Sequence, residues 1–148
     1  MEMEKPVEKT MQTRPGDTAK PRMFVREIMF SNIALVIQFL LGMYVNLYVT
    51  FPTTGPADAW KFVWTVWPVA AHLILGSLLL LGGISLLVRA IARKNRHWIT
   101  FGAIAVFGLL LAYLGGERYV TTLNDIASYV MSVGFLTTFL ALNWGLAK

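Results

Sequence analysis

No cysteine occurs among the 148 residues, which excludes structural disulfides, thiolate-held zinc, iron–sulfur clusters and covalently attached c-type haem. Charge is scarce too: 14% of residues are Asp, Glu, Lys or Arg, against 56% that are hydrophobic. A water-soluble fold of this length has too little interior to hide so much apolar surface, so lipid must act as solvent for part of the chain. Gly-rich phosphate loops, the metalloprotease helix signature and the nucleophile elbow are missing. The serines in the apolar stretches lack a second histidine or an acid nearby to activate them. Hydrolytic chemistry is therefore not expected, and any catalytic role narrows to that of a redox carrier.

Four stretches carry no Asp, Glu, Lys or Arg: Ile28 to Phe51, Phe62 to Val88, Trp98 to Gly116 and Ile126 to Ala147. At about 1.5 Å per residue they reach roughly 28 to 40 Å, against a hydrocarbon core of about 30 Å, so each can span. Barrel strands would be about ten residues long and alternate in polarity, which these do not. The expected fold is an all-α bundle of four transmembrane helices at about 28–51, 62–91, 98–116 and 125–147. It follows a disordered tail over 1–22, where mixed charges and three prolines leave no apolar periodicity. No short apolar stretch follows a basic start within the first twenty residues, so a cleavable signal is not expected.

The excess of 13 Lys and Arg over 8 Asp and Glu reads first as topology, not as affinity for nucleic acid. The tail and the loop holding Arg89, Arg93, Lys94, Arg96 and His97 carry most of the basic residues, whereas the segments 52–61 and 117–125 carry few. By the positive-inside bias both termini are cytoplasmic, in a multi-pass protein of the cell membrane whose immediate partner is the lipid bilayer. Tyr44, Tyr48, Trp60, Trp64, Trp67, Tyr113 and Tyr119 gather at the outer end, Trp98 and Trp144 at the inner one. The Pro52-Thr53-Thr54-Gly55-Pro56 run breaks the chain after the first helix, and Pro68 predicts a soft kink early in the second. Asn124 and Asp125 read as cap residues for the fourth helix.

Helices in lipid associate through small residues and interhelical hydrogen bonds. Stripes of that kind are His72, Gly76 and Gly83 on the second helix, then Ala105, Gly108, Ala112 and Gly115 on the third. The fourth presents Ala127, Met131, Gly134, Thr138, Ala141 and Gly145. On the first, Gln38, Gly42 and Asn46 fall four residues apart, and an amide facing acyl chains is costly, so this side is expected to turn inward.

His72 is the one ionisable side chain well inside a span, which makes it a functional candidate. Counted along the helices it lies roughly 8 to 12 Å below the outer boundary, at a depth shared by Met43 and Met131, with Asn46, Ser128 and Tyr129 close by. One imidazole and one of the two thioethers could ligate a b-type haem through His/Met coordination, with His72 as the metal ligand. The same histidine, hydrogen-bonded to Asn46, Ser128 or a backbone carbonyl, would equally serve as packing glue, and a quinone or proton role is a third use. His97, among basic neighbours, reads as part of a solvated loop facing anionic lipid heads. The functional expectations are an electron-transfer subunit carrying haem b and, as the alternative, a non-catalytic accessory or assembly subunit of a larger membrane complex. Candidate partners are other membrane subunits, a quinone, or a second copy of the chain, which would supply a second His72.

Three stretches carry a resemblance. Residues 39–52 (FLLGMYVNLYVTFP), Ala71-His72-Leu-Ile-Leu-Gly76, and Gly115-x-x-x-Tyr119 through Asn124-Asp125-x-x-Ser128-x-x-Met131-x-x-x-Phe135 resemble a family of small uncharacterised four-helix membrane proteins of bacteria and archaea. The resemblance spans about residues 28 to 147 and implies the four-helix fold without supplying a role. A looser likeness to four-helix cytochrome b subunits rests on the helix count and one histidine. Those subunits commonly place two histidines at membrane depth, and this chain has one.

Overall fold

The computed structural model describes residues 20–147, with side chains from Val25 onward. The expected tail lies, as far as residue 19, outside the described residues, while Lys20 to Arg22 already belong to the first helix. The described residues form five helices: α1 (Lys20–Tyr48), α2 (Pro56–Thr65), α3 (Trp67–Ala92), α4 (Arg96–Thr122) and α5 (Asp125–Ala147). All but α2 are long and apolar enough to cross a membrane, so the all-α four-span bundle expected from the sequence is what the chain forms.

The first helix begins at Lys20 and not near residue 28, and three further boundaries differ from the expected ones, each for a local reason. The segment 62–91 is not one kinked helix but two. Val66 adopts an extended conformation (φ −103°, ψ 103°) between α2 and α3. Pro68 has no N–H to give to the carbonyl of Trp64 and restricts the backbone of Trp67, so the helix must restart there. The first helix stops at Tyr48, three residues before the expected end, leaving Phe51 as a buried plug in the following turn. The third span runs on through Glu117 and Arg118 to Thr122, because charges stop a helix from being in lipid, not from being helical. It ends where Leu123 turns left-handed (φ 51°) with its N–H on the Tyr119 carbonyl.

Short turns at 93–95 and 123–124 make α3, α4 and α5 antiparallel neighbours. Asn95 caps α4 by accepting from the Trp98 N–H, and Asn124 accepts from the Ile126 N–H at the start of α5. The tightest contact is between α4 and α5. A Cβ on Gly134 would sit 2.5 Å from both the Ala112 nitrogen and the Gly108 oxygen, and one on Gly115 would sit 2.8 Å from the Met131 nitrogen. The two backbones touch because glycine stands at these positions. Thr138, fully buried, then donates its hydroxyl across the interface to the Ala105 carbonyl at 3.1 Å, with the Gly134 carbonyl at 3.0 Å.

The half of the bundle that holds the 93–95 turn, labelled inner here by that turn alone, is closed further by polar clasps. Asn32 of α1 and Asn143 of α5 exchange amide hydrogen bonds, Glu27 pairs with Arg89 of α3, and His97 meets the Gly145 carbonyl at 3.0 Å. His97 is thus not a freely solvated loop residue: its ring also packs edge-on against Trp98 and Phe101. Ile28, Leu35, Leu86, Ala105, Leu109, Ala141 and Leu142 form one core between these clasps. A second core lies at the outer end, where Val45, Phe51, Val63 and Val69 pack with Trp60 and Tyr119 beneath α2.

Candidate ligand cavity

Between the two cores the packing opens. α1 leans on α3 along its length and on α5 through Asn32–Asn143 and the Phe39–Phe135 ring stack (5.0 Å). Toward the outer side α1 and α5 line opposite walls of a cavity of about 200 Å³. A single water needs only about 10–15 Å³ on this measure, so the space is no packing defect. Its walls are mainly aliphatic and aromatic, with α2 contributing Trp60 and Val63 as a roof. Met43, Asn46 and Ser132 line the cavity and are also exposed, which places its opening between α1 and α5, facing lipid.

One wall is made by a reciprocal fit of α1 and α3. The His72 ring fills the space above Gly42, where an added Cβ would lie 2.8 Å from its Cε1. Gln38 does the same above Gly76, where a Cβ would lie 2.9 Å from its Nε2. The Gln38 amide reaches the His72 carbonyl at 3.0 Å and the His72 Nε2 at 3.3 Å. An amide nitrogen has only donors to offer, so His72 Nε2 accepts and the proton belongs on Nδ1. His72 Nδ1 and Gln38 Oε1 are covered and have no partner. The pair fastens α1 to α3, and its two remaining polar atoms are covered.

The residues singled out from the sequence are brought together unevenly. His72, Met43, Asn46, Ser128 and Met131 all line this one cavity. Met43 is 41% exposed toward lipid, and Met131 is half-buried against Gly115 and Gly116. Asn46 does not pack inward with Gln38 and Gly42 as expected, because α1 has parted from α5 at that level; it stands exposed at the rim. Tyr129, 70% exposed, is not part of the lining. Haem ligation by His72 asks for an open ring nitrogen, but Gln38 holds Nε2 and Nδ1 is covered. The donors as arranged do not fit an iron unless Gln38 swings aside. No three of the described His, Asp and Glu residues cluster as ligands for a bare metal ion, which does not bear on haem.

Two contributors escaped the sequence reading. Gln38, not Asn46 or Ser128, is the partner of His72, and the signal for it was present: Gln38 and Gly42 repeat the four-residue spacing of His72 and Gly76, as a reciprocal fit requires. Glu117, assigned to an outer loop, lines the cavity. It is reached only because α4 continues past the apolar stretch. Comparison with family models, with curated proteins and with solved structures returns no match.

Proposed function

We propose that this multi-pass membrane protein is a non-catalytic holder of a lipid-soluble molecule, seated in the cavity between α1, α3, α4 and α5. The cavity itself supports the reading. An apolar space of about 200 Å³ beside a bilayer exchanges no hydrogen bonds with water, and it gains dispersion contacts when hydrocarbon fills it. The Gln38–His72 contacts that build its wall are made within the protein, so the wall is set before a ligand arrives. With the basic residues of 93–96 on the cytoplasmic side, the opening faces the outer leaflet.

Purification in a mild detergent, followed by an absorption spectrum and mass analysis of extracted small molecules, tests this. The expected result is a colourless protein with about one amphiphile per chain. A Soret band would instead support haem b with His72 released from Gln38, and a chain free of any small molecule would end the holder reading. Cysteines at Thr54 and Arg96 report the orientation: an impermeant reagent added to intact cells should label the first only.

A further inference from the structure

The cavity is polarised along its length. Its deep end presents carbon, from Leu35, Leu79, Leu109, Phe39 and Phe135, because the spare polar atoms of Gln38 and His72 are covered. Its outer end presents a carboxylate. Glu117 lines the cavity, is exposed, and has no ion-pair partner among the described residues. Tyr113 lies one helical turn before it on the same face of α4 and lines the same space, as do Trp60 and Tyr119. Tyr119 is fixed by an edge-on contact with Phe51 (5.8 Å), and Trp60 by the outer core.

A carboxylate accepts hydrogen bonds and donates none, and the faces of tyrosine and tryptophan attract cations. Together they oppose an anionic head and favour a cationic one. We infer that the cavity takes an ammonium-headed amphiphile, tail first through the gap between α1 and α5, with its hydrocarbon against Phe39 and Phe135 and its ammonium at Glu117 among Trp60, Tyr113 and Tyr119. This rests on the holder reading and names the chemical class it accepts. Two sources carry such an ammonium, a bilayer phospholipid and a single-chain lipophilic amine; the chemistry at the rim is the same for both.

The test offers the full-length protein, in dodecyl maltoside, equal amounts of phosphatidylethanolamine and phosphatidylglycerol with identical chains, and separately hexadecylamine and hexadecanol. Retained molecules are read by native mass spectrometry. The expected outcome is an ammonium preference of about tenfold in at least one pair. Glu117→Gln should lower it to within about twofold while the variant still retains a chain and melts as wild type does. Trp60→Ala should weaken it by a smaller factor. Preference in both pairs identifies the source as bilayer lipid or amine alike, and preference for hexadecylamine alone identifies a single-chain amine. Retention without head preference, or a preference that survives Glu117→Gln, overturns the inference but leaves the holder reading intact. Retention of nothing by wild type ends both.

Discussion

The inner and outer halves of the bundle solve the same packing problem in opposite ways. On the inner side α4 and α5 meet backbone to backbone at glycine, Thr138 bridges the contact, and polar pairs tie α1 to α5 and α3. On the outer side the same α1 and α5 part beyond Phe39 and Phe135, and aromatic side chains and the short α2 roof a space instead of filling it. In lipid, apolar residues gain little by leaving their solvent for one another, so close approach has to come from small residues and hydrogen bonds. Where α1 offers Met43 and Asn46 opposite Ser128 and Met131, neither the Asn46 amide nor the Ser128 hydroxyl bonds across to the other helix, and a cavity persists.

If the inner half is solid, crowding it should do the most damage. Gly134→Leu brings a Cβ that would lie 2.5 Å from the Ala112 nitrogen and the Gly108 oxygen, and overpacking of side chain against backbone should cost about 3 kcal/mol or more. Loss of the monodisperse species on size exclusion in detergent is the expected readout; a normally eluting variant with an unchanged melting temperature would show that the contact is loose. Thr138→Val keeps the shape and removes the hydroxyl bonded to Ala105. It should cost about 0.6 to 2 kcal/mol in thermal unfolding, the range for hydrogen bonds between helices in lipid. The fastening of α1 to α3 is open to a double-mutant cycle. His72→Leu and Gln38→Leu should each cost about 1 kcal/mol, and the double variant should cost less than their sum, since both act through one pair of contacts. Strict additivity would dissolve the pair. The smallest effect belongs to Glu27→Gln. Its partner Arg89 has a side chain 38% exposed, so less than about 1 kcal/mol is expected, diminishing further in high salt.

Much of this contrast was legible in the residue order. The small-residue stripes of α4 and α5 announce their close face, since Gly108, Ala112 and Gly115 recur at helical spacing opposite Ala127, Gly134 and Thr138. The gap could not be read in the same way. Depth counting brought His72, Met43 and Met131 to one level, and they do line one cavity. Counting along helices says nothing, however, about how far apart two helices stand at that level. The partner of His72 was missed for a related reason: Gln38 lies opposite it only because Gly42 and Gly76 let the two side chains nest. The break at Val66 is visible in Pro68, yet whether a proline kinks or ends a helix depends on what the freed segment can pack against. Here α2 finds Phe51 and Tyr119.

Filling the cavity tests the central claim most directly. Gly116 lines it, and a Cβ there meets only the flexible Met131 sulfur, at 3.5 Å, so Gly116→Phe should occupy the space without disturbing the fold. The measurement is the rise in melting temperature when the ammonium amphiphile that wild type retains, phosphatidylethanolamine or hexadecylamine, is returned to delipidated protein in detergent. A ligand bound only by the folded state at a hundred times its Kd adds about 2.7 kcal/mol. The account predicts such a rise in wild type and in Thr138→Val, and its loss in Gly116→Phe. An equal rise in Gly116→Phe and wild type would contradict it.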